Sequence, residues 1–384
     1  MNKKLRLVVF IISIIITGVF LIDTSLNLGI VSRFESFFDQ EAPVIDTENL
    51  RSRYLLNEDV TLDINCQDNI DDLCSVEIVG SIDTTLLGAQ SITLIATDKA
   101  GNVTTFIYNF EIVDNVDGSM YIPLGYYDGI EGLVGEDLKR ALHLIIKDHI
   151  EFPYTHSTRT DTWDILREAD EDPNNPDNVI GFYTGLSIPK DCQDTTNPPD
   201  FCLMEAYGEQ KIVEWNREHI WSKSRGDFSD TTSMGAHTDL HHLVAAERVM
   251  NSTKNNRYFE DCNDGDDLDI VQRGYGNYTC NIWHFEPRDE MKGDVARMLF
   301  YMVVRYEDES LDLELVNDPE QDKNSKLPIY GDIDDLLRWH IEDPVSEREI
   351  LRNEVIYSYQ GNRNPFIDLP QLVELIWGTA EDYN

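Results

Sequence analysis

The hydrophobic pattern takes three successive forms along the chain. Residues 7–22 form an apolar run with no polar stripe, directly behind Lys3, Lys4 and Arg6. Positive residues ahead of such a run predict an export segment, with the remainder translocated. The run exceeds a usual signal core and falls slightly short of a full span, and no small-x-small cleavage pattern follows Phe20. It reads as a signal anchor over 1–26, with a cleaved signal peptide as the alternative. From 43 to 113 the period becomes two. Alternation at 60–64, 91–96 and 104–112 predicts strands, and Asp98-Lys99-Ala100-Gly101-Asn102 predicts a turn. Beyond Tyr121 the spacing becomes helical: Leu138, Leu142, Ile145, Ile146 and His149 share one face, as do Val295, Met298, Leu299, Met302 and Val303 within 294–307. Another helix is predicted near 350–359. Between these helices, the run at 215–221, a returning strand over 239–244 and a helix over 245–255 are predicted.

These changes of period divide the chain into an N-terminal membrane helix (1–26), a linker (27–42), a small all-β sandwich (43–116) and an α+β domain (120–384). A length of 384 residues agrees with several units. The β segment resembles the immunoglobulin-like modules of bacterial surface proteins, in which Ala-Thr-Asp-x-Ala-Gly-Asn precedes the last strand; here that run is Ala96 to Asn102. It carries no catalytic constellation and reads as a spacer or adhesive module.

Charge narrows the picture. The net charge of −41 repels nucleic acid at long range. Over 211–257, however, Lys211, Arg217, Lys223, Arg225, Arg248, Lys254 and Arg257 balance the acids. The six cysteines fall into sequence-local couples, Cys66 with Cys74, Cys192 with Cys202 and Cys262 with Cys280. An even count in an exported chain suggests disulfides, although six cysteines permit fifteen pairings.

The candidate chemistry sits in that balanced stretch. His219 is a suitable general base for water. Glu218 and Asn251 offer hard oxygens to a divalent cation, and Arg217 offers a fork for phosphate. Adjacent strand residues face opposite ways, so Glu218 and His219 share a site only at a strand end or bulge. Asn251 and Asn255 are four apart and would share a helix face. His237, Asp239 and His241 suggest zinc, but the His-Glu-x-x-His pattern is absent, and supporting roles suit Asp239 and His242 better. Asp170, Asp172 and Asn174 imitate the start of a calcium loop that lacks its central Gly and closing Glu.

Several ordered stretches, including 163–179, Trp215 to Trp221, Thr238 to Leu243, Val249-Met250-Asn251-Ser252, 292–298 and 360–368, resemble the bacterial endonuclease I / secreted nuclease family of ββα-metal (His-Me finger) nucleases. The resemblance covers roughly 126–377. It implies a ββα-metal core surrounded by helices and an exported or cell-surface, metal-dependent nuclease with little sequence preference. Its substrate would be DNA, and often RNA. His219 would activate water. Glu218 and Asn251 would hold Mg²⁺, with Ca²⁺ or Mn²⁺ as alternatives. Arg217, Arg297 or Arg363 would neutralise phosphate. The membrane would be met through the N-terminal segment; no protein partner is implied. Ser222 stands where Pro is common, and Leu369-Pro370-Gln371 replaces a usual His-Pro-Glu. A surface adhesin carrying an inactive nuclease-like domain is the competing reading.

Overall fold

The computed structural model describes residues 39–47, 49–69, 74–114, 121–194, 197–228, 234–262, 269–281, 283–307, 311–317 and 325–378. The N-terminal apolar segment lies outside them, and among the described residues no helix is long and apolar enough to cross a membrane. The chain divides into two compact units, one ending near Leu124 and one running from Gly125 onward.

The first unit is built of strands. β1 (Val44–Ile45) pairs with β3 (Cys66–Gln67); β2 (Arg53–Leu55), β4 (Ser75–Val79), β5 (Gly88–Thr97) and β6 (Val103–Val113) form a sheet of order β2-β6-β5-β4. The two long strands cover the alternating runs 91–96 and 104–112. Their inward residues Ile92, Leu94, Ala96, Tyr108, Phe110 and Ile112 pack on Leu50 and Tyr54. The turn between them forms as its residues predict: Asp98 Oδ1 accepts from the Gly101 and Asn102 amides at 2.6 and 2.8 Å, and Gly101 takes φ +91°. The expected strand at 60–64 does not form. Its alternation is real as burial, because Val60, Leu62 and Ile64 pack against the same core. That stretch has no strand partner, so the period marks a packed edge rather than a ladder.

The second unit is mixed α/β. α1 (Gly135–Ile146) buries Leu138, Leu142 and Ile146. α2 (Thr162–Ala169) starts in a capping box, with Asp161 accepting from Trp163 and Asp164 amides while Asp164 reaches back. Next come β7 (Glu171–Asp172), β8 (Asn175–Ile180) and β9 (Ser187–Pro189) in one sheet, then the hairpin β10 (Leu203–Ala206) and β11 (Glu209–Ile212). The calcium-like loop is therefore a hairpin. Asp170 is held by Arg352 Nε at 2.8 Å and the Ala245 amide at 2.7 Å, and Asp172 by the Asn174 amide and Ser187. Those oxygens are used internally.

β12 (Trp215–His219) pairs antiparallel with β13 (Leu243–Glu247), which runs directly into α3 (Arg248–Lys254). The returning strand begins later than its sequence suggests, because Asp239 draws 239–242 into a turn: its backbone carbonyl accepts from the His242 and Leu243 amides. Downstream, α4 (Lys292–Arg305) is buried along its whole length rather than on one face. Its close fit needs Gly293, where a Cβ would lie 2.0 Å from the Asp343 carbonyl oxygen. α5 (Ile333–Glu342) packs on α4, and α6 (Glu347–Gln360) follows, started by a Ser346/Glu349 capping box and stopped by Gly361 at φ +73°, before two short helices at Pro365–Asp368 and Leu372–Trp377. The core beneath β12 and β13 joins Ile165, Leu166, Val179, Ile188, Trp215, Leu243, Ala245 and Ile356.

All three sequence-local cysteine couples are disulfides: Cys66–Cys74, Cys192–Cys202 and Cys262–Cys280.

Candidate active site

A cleft of about 450 Å³ opens over the end of β12, lined among others by Tyr154, Trp163, Asp194, Arg217, Lys223 and Asn255. Asn216, Glu218, His219 and Asn251 also line it. β12 ends at His219, and the next amide, Ile220, donates to the His242 carbonyl at 3.0 Å. The strand end resolves the facing problem: the chain turns there, and Glu218 and His219 reach one cavity.

His219 is 6% exposed. Its Nε2 lies 2.9 Å from the His237 carbonyl oxygen. A carbonyl only accepts, so Nε2 carries the proton and Nδ1 keeps its lone pair. Burial pushes the imidazole pKa well below its ordinary value, and the neighbouring His242, His237 and Lys223 charges add to this. The ring stays neutral at physiological pH. His237 stacks on it with centroids 5.0 Å apart, and Tyr154 packs against His237 at 4.3 Å, tilted by 44°. The stacked His237 ring and the Nε2 hydrogen bond together fix the plane of the His219 ring.

Glu218 is buried, and both the Tyr183 hydroxyl (2.9 Å) and the Lys254 ammonium (3.1 Å) meet its Oε1. The His219 amide also meets this carboxylate, which lines the cleft where a cation would be held. Burial pushes this carboxyl up, and the Lys254 ammonium opposes the shift. Lys254 is itself fully buried, donating to the His219 and Ile220 carbonyls at 3.1 Å and to Ser222 Oγ at 2.9 Å. Asn251 Nδ2 donates to Asn216 Oδ1 at 2.8 Å and to the Arg217 carbonyl at 3.4 Å. With its nitrogen so engaged, Asn251 has its Oδ1 left to bind a cation. A carboxylate oxygen and an amide oxygen in one cleft are a hard donor set.

Arg217 braces the wall. Its guanidinium lies 3.4 Å over the Tyr154 ring and 4.1 Å over the Trp163 ring. It donates to the Tyr154 carbonyl, to Thr162 Oγ1 and to Thr155 Oγ1. Lys223 is a second cleft-lining cation. Asn255 closes α3 in a positive-φ conformation, and its carbonyl accepts from Ser222.

The structure separates two of the sequence candidates from the cleft. Arg297 is buried in an ion pair with Glu349, and Arg363 in one with Asp368. Both are framework residues. Asp239 lies beneath the turn that carries His237 and His242, accepting from the Tyr301 and Tyr306 hydroxyls at 2.9 and 3.1 Å and from Gln360 at 3.2 Å. Burial opposes its ionisation, yet the His149, His241 and His242 imidazoles hold the carboxyl well below the usual range. His242 gives its Nε2–H to the Ala236 carbonyl at 2.7 Å and sits 5.5 Å from the His219 ring. The zinc reading fails on geometry. His237 ends a short 3-10 turn rather than lying on an α-helix, and His241 points its Nε2 at the Asn362 carbonyl. Among the described residues, the only grouping of three acidic, histidine or cysteine ligand atoms is Asp39, Asp68 and Asp98, in the first unit.

Sequence reasoning did not single out Tyr183, Lys254 or Asn216 as parts of the site. Asn216 stood inside the 215–221 run, and Lys254 follows Asn251 by three on a predicted helix, which puts both on neighbouring positions. Tyr183 had no local signal.

Two strands and a helix around a neutral histidine and hard-oxygen donors suit hydrolysis of a phosphodiester, and likeness to known proteins makes the chain a hydrolase acting on phosphodiester bonds. A family profile described as Endonuclease I matches residues 134–371. The chain is similar to an extracellular ribonuclease of Bacillus subtilis (strain 168), 44% identical over 255 residues, covering 66% of this chain and 78% of the relative. It is also similar to an extracellular ribonuclease of Bacillus amyloliquefaciens, 43% identical with the same coverage. The chain belongs to the endonuclease I family. Nucleases of this family generally use divalent metal ions.

Proposed function

We propose that this protein is an exported endonuclease that hydrolyses DNA and RNA with little sequence preference. One observation carries the proposal: a buried, neutral His219 with Nδ1 available beside the Glu218 and Asn251 oxygens in a single cleft. Support for RNA as a substrate and for a location outside the cell comes from the two relatives named as extracellular ribonucleases. The apolar run behind Lys3, Lys4 and Arg6 is read as the export signal, and the strand-rich first unit as a spacer or surface module.

In this mechanism His219 Nδ1 takes a proton from water as it attacks phosphorus, the bond from phosphorus to the leaving sugar oxygen breaks, and that oxygen takes up a proton from solvent. The His237 carbonyl holds the imidazole in the tautomer that permits this, and stabilises the imidazolium that forms. Glu218 and Asn251 would hold the divalent ion, Mg²⁺ first, whose charge offsets the negative charge that develops on the phosphate. Lys223 at the cleft wall neutralises a phosphate oxygen, while Arg217 braces the wall against it. Contacts to phosphate alone carry no sequence information.

The test is cleavage of plasmid and of single-stranded RNA by the purified chain with Mg²⁺, with and without chelator. Cleavage that chelator abolishes is expected. Wild-type activity in His219→Ala would sink the mechanism.

A further inference from the structure

We propose that Lys254 acts through Glu218 to make cation binding conditional on a nucleic-acid phosphate, so that the ion is held tightly only in the presence of substrate. This rests on the nuclease reading above and adds to it.

The argument is one of charge in a closed space. Glu218 Oε1 is fixed by Lys254 Nζ at 3.1 Å, and that ammonium is wholly buried and pinned from three other sides. One of the pins is Ser222, whose Oγ lies 2.9 Å from the ammonium. The single carboxylate beside Asn251 is therefore compensated before any cation arrives. The rest of the lining does not restore an anionic field. Asp194 lies 3.9 Å from the Arg248 guanidinium, which Glu214 holds more closely at 3.1 Å, so Asp194 counts as a second, half-exposed carboxylate; Arg217, Lys223 and the buried Lys254 still outnumber the two. Sites that hold hard divalent ions tightly on their own gather several carboxylates, and here one amide, one half-engaged carboxylate and the half-exposed Asp194 stand against a surplus of cations. A phosphate oxygen from the substrate supplies the missing negative ligand. The coupling is reciprocal, so the ion strengthens nucleic-acid binding by the same factor.

Lys254 is thus a positioning residue, and its effect is read in metal affinity rather than in turnover. Mn²⁺ would be titrated by electron paramagnetic resonance into the full chain carrying His219→Ala, which prevents cleavage. The titration is done alone, with a single-stranded phosphodiester oligonucleotide, and with an uncharged methylphosphonate oligonucleotide. A Kd at least about tenfold lower with the phosphodiester, and unchanged with the methylphosphonate, is expected, within the usual range of coupling between sites. Adding Lys254→Met should tighten Mn²⁺ binding to the free protein and shrink the difference. Adding Tyr183→Phe removes the other Oε1 donor without changing charge and should preserve the difference. Equal Mn²⁺ affinity with and without the phosphodiester overturns the proposal even if Lys254→Met does not fold, and leaves the nuclease reading standing. Coupling lost equally in Tyr183→Phe also overturns it. Absence of any cleavage by the unmutated chain removes the nuclease reading instead.

Discussion

His219 Nε2 and the His237 carbonyl oxygen lie 2.9 Å apart, and this one hydrogen bond decides which ring nitrogen is free to act. The donor's partner is backbone, so the arrangement survives changes in the His237 side chain better than changes in the turn that carries it. His219→Ala should lower kcat by about 10²- to 10⁴-fold, the usual contribution of a general base. The melting temperature should remain close to wild type. A plasmid-nicking time course beside a thermal melt measures both, and a collapse of the melt alone would mean the ring is structural.

Burial pushes the His219 pKa down, so its neutral, reactive form persists into acid. The acid limb of kcat against pH is expected below 6.5, the value of an exposed imidazole. A limb at or above that value would show that His219 is not the group being titrated.

Stability should fall on the same side. His241, His242 and His340 are pushed down to about 4, chiefly by burial. Below 6.5 the unfolded chain protonates these rings while the folded chain does not. The unfolded state then binds more protons, and the free energy of unfolding decreases as pH falls from 6.5 toward 4. Urea midpoints at pH 7.5, 6 and 5 should decline in that order. A midpoint that rises on acidification would contradict the buried neutral histidines.

Arg363 pairs with the fully buried Asp368. Removing it leaves that carboxylate without its partner, so Arg363→Ala should destabilise the chain by about 3–5 kcal/mol. Activity per folded molecule should stay near wild type, because Arg363 does not line the cleft. A raised KM for RNA with an unchanged melt would instead make it a substrate contact.

The Cys192–Cys202 bridge closes a loop whose Asp194 lines the cleft, and Asp194 receives Asn216 Nδ2 at 3.5 Å. Replacing both cysteines by Ser should cost about 2–3 kcal/mol from loop-closure entropy. It should also weaken Mn²⁺ binding in the presence of oligonucleotide, because Asn216 orients Asn251. Unchanged calorimetric stability would show that the loop is held by its other contacts.

Much of the local chemistry was legible in the order of residues. The helix faces at 138–146 and 294–303, the turn at Asp98 and the long strands around 91–96 and 104–112 follow from period and turn-forming residues, which depend on neighbours a few positions away. Glu218, His219 and Asn251 could be picked out as candidates because they fall within a short window and carry distinctive chemistry, and the fold brings all three to one cleft. Tertiary structure decided the rest, because those roles depend on partners far apart in sequence. Arg297 and Arg363 read as phosphate ligands until Glu349 and Asp368 enclosed them; Arg217 became a brace once Tyr154 and Trp163 flanked it. The proton on His219 was assigned by a carbonyl 18 residues away, and the charge on Glu218 was matched by Lys254, 36 positions downstream. Sequence supplied a carboxylate, an imidazole and an amide as candidates, but only folding could choose which of their atoms are engaged and which face the cleft, since burial and hydrogen-bond geometry set those choices.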